Sequence, residues 1–101
     1  MGTGALMNKI TLDIDRIVGA APSYATELHN MCKCTEELGE LAECIFKKLP
    51  PENRVEEIAD VLISASMDMK WCGVSTEQLS EAIERKLSRQ EKRRSNEKQQ
   101  M

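Results

Sequence analysis

The chain is 101 residues long, carries 14 Lys and Arg against 17 Asp and Glu, and has a net charge of −3. Its single Trp, Tyr and Phe, beside plentiful Leu, Ile, Ala, Met, Glu and Lys, favour helices over sheet. One domain of this size has a thin core, and no apolar run approaches the roughly 20 residues of a membrane span.

The opening Met1-Gly2-Thr3-Gly4-Ala5-Leu6-Met7 lacks the basic region and long apolar stretch of a secretory signal. The expectation is a soluble, cytoplasmic protein with no membrane partner. Residues 1–84 carry 7 basic and 15 acidic side chains, net −8, whereas residues 85–101 carry 7 basic and 2 acidic, net +5. An acidic body with a basic tail argues against nucleic acid as a partner, since such binders present a broad positive surface. It suits a protein that gathers cations at one place and phosphate at another.

The pattern predicts an all-α antiparallel bundle of about four helices in one domain, with no strand. The first helix is expected over about 8–18, where Ile10, Ile14, Ile17 and Val18 fall near helical spacing. Gly19-Ala20-Ala21-Pro22 stops it, because proline cannot continue a helix. Ser23 reads as the N-cap of a long second helix, with Glu27 near its positive end. That helix carries the stripe Leu28, Met31, Leu38, Leu41, Ala42, Ile45 and Leu49, and Pro50-Pro51 ends it. The third helix is expected over about 52–72, with Gly73 as its C′ residue. It is apolar on two sides, Ile58, Val61, Leu62, Ala65 and Met69 on one and Ala59, Ile63 and Met67 on the other. Both sides need cover, which in so short a chain points to a second subunit and a homo-oligomer. Ser75-Thr76-Glu77-Gln78 reads as a capping box opening the fourth helix, whose apolar positions are Leu79, Ala82, Ile83 and Leu87. Beyond Arg93 the chain is polar, and a frayed or disordered end is expected over 94–101.

Cys32 and Cys34 are too close on a helix for a zinc pair, and His29 alone cannot complete a common site. The four cysteines, with Cys44 and Cys72, are expected to be reduced and packed as small hydrophobes.

An acidic pattern occurs twice. The second helix contains Glu36-Glu37-Leu38-Gly39-Glu40 and the third contains Glu56-Glu57-Ile58-Ala59-Asp60. Each supplies two carboxylates at i and i+3, on nearly one side and one turn apart. Glu37 and Glu57 border their apolar stripes, so pairing the helices would gather four negative charges in a half-dry space. That is costly unless some carboxylates hold protons or a divalent cation lies between them. All-oxygen ligation points to Mg²⁺, with Mn²⁺ as the alternative, and away from zinc. The competing reading is that glutamates at this spacing are a solvated helix face. Glu36, Glu43 and Glu56 fall further round and read as solvent-facing. Gly39, which costs about 1 kcal/mol against alanine inside a helix, reads either as room for a neighbouring helix or ligand, or as a tolerated defect.

At these residues the sequence resembles the all-α nucleoside triphosphate pyrophosphohydrolases, particularly the MazG-like branch, whose signature is ExxE on one helix and ExxD on the next. Glu37-Leu38-Gly39-Glu40 and Glu57-Ile58-Ala59-Asp60 match it. Lys33 before the first motif, Asp60-Val61-Leu62-Ile63 after the second, Gly73-Val74, and Lys86-Leu87 opening a basic stretch agree in the flanks, so that the resemblance covers about 24–93. It implies that Glu37, Glu40, Glu57 and Asp60 act catalytically by coordinating Mg²⁺. It implies further that water attacks the α-phosphorus of a (d)NTP, giving the monophosphate and pyrophosphate, as nucleotide-pool housekeeping. Glu36 either assists that water or stays a surface carboxylate.

Lys86, Arg89 and Arg93, at i, i+3 and i+7, form one basic stripe and are assigned with Lys33 to the triphosphate, because guanidinium groups match phosphate oxygens. Several relatives carry an asparagine close after the lysine, where this chain has Leu87-Ser88-Arg89. Trp71, on the side of Asp60 and Ser64, either stacks on a base or packs at an interface; Asp68 is left without a role and His29 is read as structural. The enzyme alternative is a phosphoribosyl-ATP pyrophosphatase. The non-enzyme alternatives are an oligomeric interaction bundle and a protein that binds nucleotide without turnover.

Overall fold

A computed structural model describes residues 8–100, with side chains through residue 98. Residues 1–7 and Met101, on which the reading of the termini rested, lie outside it. The described chain is all-α, with no strand among the described residues. Its helices are α1 (Ile14–Gly19), α2 (Glu27–Phe46), α3 (Pro51–Met67), the single turn α4 (Met69–Cys72) and α5 (Thr76–Gln100). No helix among them is long and apolar enough to cross a membrane.

The helix ends follow from local chemistry, and two starts differ from the sequence expectation. The first helix begins not near residue 8 but after Asp13, whose Oδ1 accepts from the Arg16 amide at 3.1 Å. Ser23 is not the cap of α2. Residues 22–25 make a turn in which the Ala25 amide donates to the Pro22 carbonyl, and Thr26 Oγ1 then accepts from the His29 amide at 3.1 Å. Either hydroxyl suits an N-cap, and the proline turn decides between them. α2 ends in a Schellman motif, with the Leu49 amide on the Cys44 carbonyl and the Lys48 amide on the Ile45 carbonyl. Lys48 thus occupies the left-handed position at φ 55°, where glycine is usual. Pro51 opens α3 at a position where a missing amide costs nothing.

The expected third helix is interrupted at Asp68, whose carbonyl accepts from both Trp71 and Cys72 in the turn that makes α4. Gly73 terminates α4 at φ 72°, as expected. The capping box at α5 is complete: Ser75 Oγ accepts from the Gln78 amide at 3.1 Å, and Gln78 Oε1 accepts from the Ser75 amide at 2.8 Å. α5 continues past Arg93 to Gln100, where a frayed end was expected. Its last turns are built from Arg, Glu, Lys and Gln, all good helix formers, and Arg94 lies 4.0 Å from Glu97.

α2 and α3 form the main packed pair, joined by a short connection, and α1 lies against α3 and α4. The partners Glu27–Asp68, Asn30–Ser64, Glu37–Asp60 and Glu40–Glu57 ascend one helix as they descend the other, so the pair is antiparallel. α5 does not pack along α2 or α3. The packed face of α2 is Asn30, Cys34, Glu37, Leu41 and Cys44, and that of α3 is Arg54, Glu57, Val61 and Ser64, continued by Asp68 just beyond its end. Each set repeats at helical spacing, and it shares only Leu41 and Val61 with the apolar stripes read from sequence. Leu28, Met31, Leu38, Ile45, Val55, Ile58 and Ile63 are exposed instead. Only Asn30, Cys44 and Ser64 are buried outright among the described residues. Of the cysteines, Cys44 alone is packed as a small hydrophobe; Cys34 is half-buried, Cys32 and Cys72 are exposed, and all four are unbridged.

The result is an open molecule. Its accessible surface is 8495 Å², whereas a compact monomer of this mass exposes about 5,800 Å². The radius of gyration is 16.6 Å, against about 13 Å for a compact domain of this length.

Candidate functional site

The α2–α3 seam brings together all four carboxylates singled out by the motifs. An oxygen from each of Glu37, Glu40 and Glu57 lies within 4.8 Å of the other two. Asp60 stands outside that close group of three but beside Glu37 across the seam, as Glu57 stands beside Glu40. The geometry is two antiparallel pairs one helical turn apart. It follows from the i, i+3 spacing on each helix and from the register that the Pro50-Pro51 connection sets.

Electrostatics report the crowding. Loss of water around Glu37 raises its carboxyl above the usual range, and the charges of Glu40 and Asp60 raise it further; the Lys33 ammonium partly opposes them. Desolvation also raises Glu40, followed by the charge and hydrogen bond of Glu57 and the charges of Glu36 and Asp60. Glu37 Oε2 and Glu57 Oε2 are sealed from solvent without a hydrogen-bond partner. A buried carboxylate oxygen left unpaired is unfavourable, and it is the kind of atom that a hard cation satisfies. Oxygens sharing one octahedral Mg²⁺ at about 2.1 Å are about 3 to 4 Å apart. The separations in the cluster, all within 4.8 Å, are of that order. The donor set therefore fits Mg²⁺ or Mn²⁺.

Next to these carboxylates lies a cavity of about 280 Å³ between the start of α2, the end of α3 and the segment that joins α1 to α2. Tyr24, His29, Asn30, Lys33, Glu37 and Asp60 line it. Lys33 is thus the one basic residue of the sequence assignment that faces the same space as the carboxylates.

Lys86, Arg89 and Arg93 are not brought there. All three are exposed on α5, and none forms an ion pair with the four carboxylates among the described residues. Trp71 is half-buried on α4 with the Lys70 ammonium 5.3 Å from its ring, and it is not among the residues lining the cavity. Glu36 is exposed and acts on the site through its charge on Glu40. Gly39 has open space around it: a Cβ built there meets no heavy atom within 4 Å among the described residues. Among the described residues no helix makes the close approach the glycine suggested.

The residues that sequence reasoning missed are Asn30, Tyr24 and Ser64, with His29 read only as structural. Asn30 is 4% exposed in the middle of a half-polar face, and its helical spacing from Glu37 was the one available signal. No protein-family model matches the chain, and comparison with curated proteins and with solved structures found no match.

Proposed function

We propose that this chain is a Mg²⁺-dependent pyrophosphohydrolase of nucleoside triphosphates, releasing a monophosphate and pyrophosphate, and that it works as a homo-oligomer. The observation that carries the reading is the convergence of Glu37, Glu40, Glu57 and Asp60 in the α2–α3 seam, with buried, unpaired oxygens on Glu37 and Glu57. Those four residues would hold the cation. When bound, Mg²⁺ supplies charge neutralisation of the phosphates and acidifies a coordinated water. Lys33, on the cavity wall beside Glu37, adds a positive charge toward the phosphates. Glu36 stands ready as a solvent-side carboxylate one residue from the cluster.

The oligomer rests on the surface. About 2,700 Å² more is exposed than a compact monomer of this mass would show, and a standard interface buries about 800 Å² on each partner. Leu28 at 74% and Phe46 at 87% exposure are not arranged for a monomer in water. A second copy would also give the Lys86, Arg89 and Arg93 stripe of α5 a route to phosphate that its own chain does not provide.

Pyrophosphate release across dNTPs, NTPs and phosphoribosyl-ATP, with Mg²⁺ and with wild type beside Glu57→Ala, tests the activity. Release from (d)NTPs that Glu57→Ala abolishes is the expected result. Release from phosphoribosyl-ATP alone would shift the substrate, and release from none would remove the hydrolase reading. The same exposed apolar surface favours, as a second reading, a non-catalytic oligomeric helical module. That reading leaves the sealed carboxylates without a purpose and is separated by Mg²⁺ binding. Light scattering at micromolar concentration tests the assembly: a monomer would contradict it.

A further inference from the structure

The cavity beside the carboxylates has a polar group that the proposed cation chemistry does not use. Asn30 is 4% exposed, deep on the packed face of α2, and it lines the cavity. Its Nδ2 donates to the Ser64 carbonyl at 3.0 Å across the α2–α3 seam. A carbonyl only accepts, so this contact fixes which end of the amide is nitrogen. One N–H and Oδ1 remain, and no hydrogen bond among the described residues takes either. The Ser64 hydroxyl is not their partner, because it donates to the Asp60 carbonyl of its own helix at 2.8 Å.

Asn30 lines the cavity and its Oδ1 is not among the sealed, unpartnered atoms, so its remaining polar groups are open to what fills that space. A planar amide with a free acceptor and a free donor is the kind of group that pairs with the edge of a nucleobase, which presents both. The remaining walls suit a flat heterocycle with a polar rim. Ile63 and Met67 supply apolar surface, and Tyr24 and His29 stand edge to face with ring centroids 6.1 Å apart. At about 280 Å³ the space lies just below the range of about 300–1,000 Å³ usual for small-molecule sites, which suits a base with its sugar better than a whole triphosphate.

The order along α2 also fits one ligand. Asn30 precedes Glu37 by two turns, about 10.5 Å along the axis, with Lys33 between them on the cavity wall. A nucleoside bridges such a span from base edge to 5′ oxygen, which sets its phosphates at the carboxylates.

We infer that this cavity is a nucleoside pocket in which Asn30 anchors the base edge and Tyr24 closes the rim, so that base recognition is built into the first two turns of α2. The inference rests on the hydrolase reading for the identity of the ligand, but it is testable without turnover. Calorimetric titration of the full chain in EDTA with each common nucleoside, and with ribose 5-phosphate as a base-less probe, measures the pocket alone. At least one nucleoside is expected to bind, and ribose 5-phosphate is not. Asn30→Ala should weaken that binding about tenfold or more. Tyr24→Ala should weaken it severalfold, and because Tyr24 is exposed this variant keeps the test valid if Asn30→Ala fails to fold. Absence of nucleoside binding, equal binding of ribose 5-phosphate, or affinity unchanged in Tyr24→Ala and in any folded Asn30→Ala overturns the pocket. Nucleoside binding that persists in a protein releasing no pyrophosphate would overturn the hydrolase reading and leave the pocket standing.

Discussion

The α2–α3 pair and α5 are all amphipathic by sequence, yet they use their faces in opposite ways. The pair turns Glu37, Glu57, Asn30 and Ser64 inward and leaves Leu28, Leu38, Ile45 and Val55 in water. α5 stands nearly unpacked, with Leu79 and Ala82 half-buried, Ile83 and Leu87 exposed, and its basic residues in solvent. An apolar stripe therefore does not identify the face that packs within one chain. Here the intrachain contact is given largely to polar and acidic groups, and much of each apolar stripe stays exposed. Negative and positive charge, which would meet at a triphosphate, are kept on separate bodies of the same chain.

The sharpest way to break that contrast is to remove charge from each region in turn. Glu57→Ala should lower kcat/KM for pyrophosphate release by about 10³-fold, the scale at which loss of one group stabilising transition-state charge is felt. Neutralising Lys86, Arg89 and Arg93 together should instead raise KM about tenfold with a smaller change in kcat, since in the proposed assembly they reach phosphate only across a subunit boundary. If the triple variant costs as much as Glu57→Ala, α5 belongs to the reacting centre and the division is wrong.

The seam should also announce itself through pH. Glu37 and Glu40 are both raised above their ordinary value of 4.5 by desolvation first and neighbouring carboxylates second. A carboxyl raised in the folded state binds its proton more tightly there than in the unfolded chain. The stability from this proton is fully present below about pH 4.5 and is lost as pH rises through the folded values. Without Mg²⁺ the melting temperature should therefore decline on going from pH 4.5 to neutrality. The cation needs the deprotonated form, so its stabilisation should grow over the same interval, reaching about 2.7 kcal/mol at a hundredfold excess over Kd. Glu37→Gln should flatten both trends. A melting temperature that ignores Mg²⁺ at every pH would sink the cation site while leaving the fold untouched.

What could be read in advance was what is local. The capping box from Ser75 to Gln78, the stop at Gly73 and the two acidic pairs each depend on residues three or four apart, and the structure contains all of them. The start of α2 was misread because Ser23 and Thr26 are chemically equivalent caps, separated only by the turn at Pro22. Motif spacing foretold acidic groups meeting in a half-dry space, and Glu37 and Glu57 are half-buried there while Glu40 and Asp60 stay exposed. Wheel positions placed Glu37 and Glu57 beside an apolar stripe, whereas the register of α2 on α3 sets them inside the seam. The cavity was illegible for a stronger reason. Tyr24, Asn30, Ser64 and Met67 come from three segments, and nothing within any one of them signals the others.

The smallest effects test where association begins. Lys48 holds a left-handed backbone that costs a non-glycine residue about 1 kcal/mol. Its contribution to the adjoining Glu43–Lys47 ion pair is nil, since that pair is made by the preceding residue and is itself exposed. Lys48→Gly should thus stabilise the protein by about 1 kcal/mol, read by denaturant unfolding. Gly39→Ala is the more telling change, because its sign is open to the assembly. Within the described chain an alanine methyl there meets nothing, and removing a mid-helix glycine should add about 1 kcal/mol of stability. If another copy packs closely over Gly39, the same methyl obstructs it, and the substitution weakens the oligomer at low protein concentration while the helix itself gains. Stabilisation that is independent of concentration assigns the interface to faces elsewhere, the leucines of α2 foremost. Destabilisation that disappears at high concentration assigns it to the turn between Glu37 and Glu40, and would make the carboxylate cluster part of a subunit boundary.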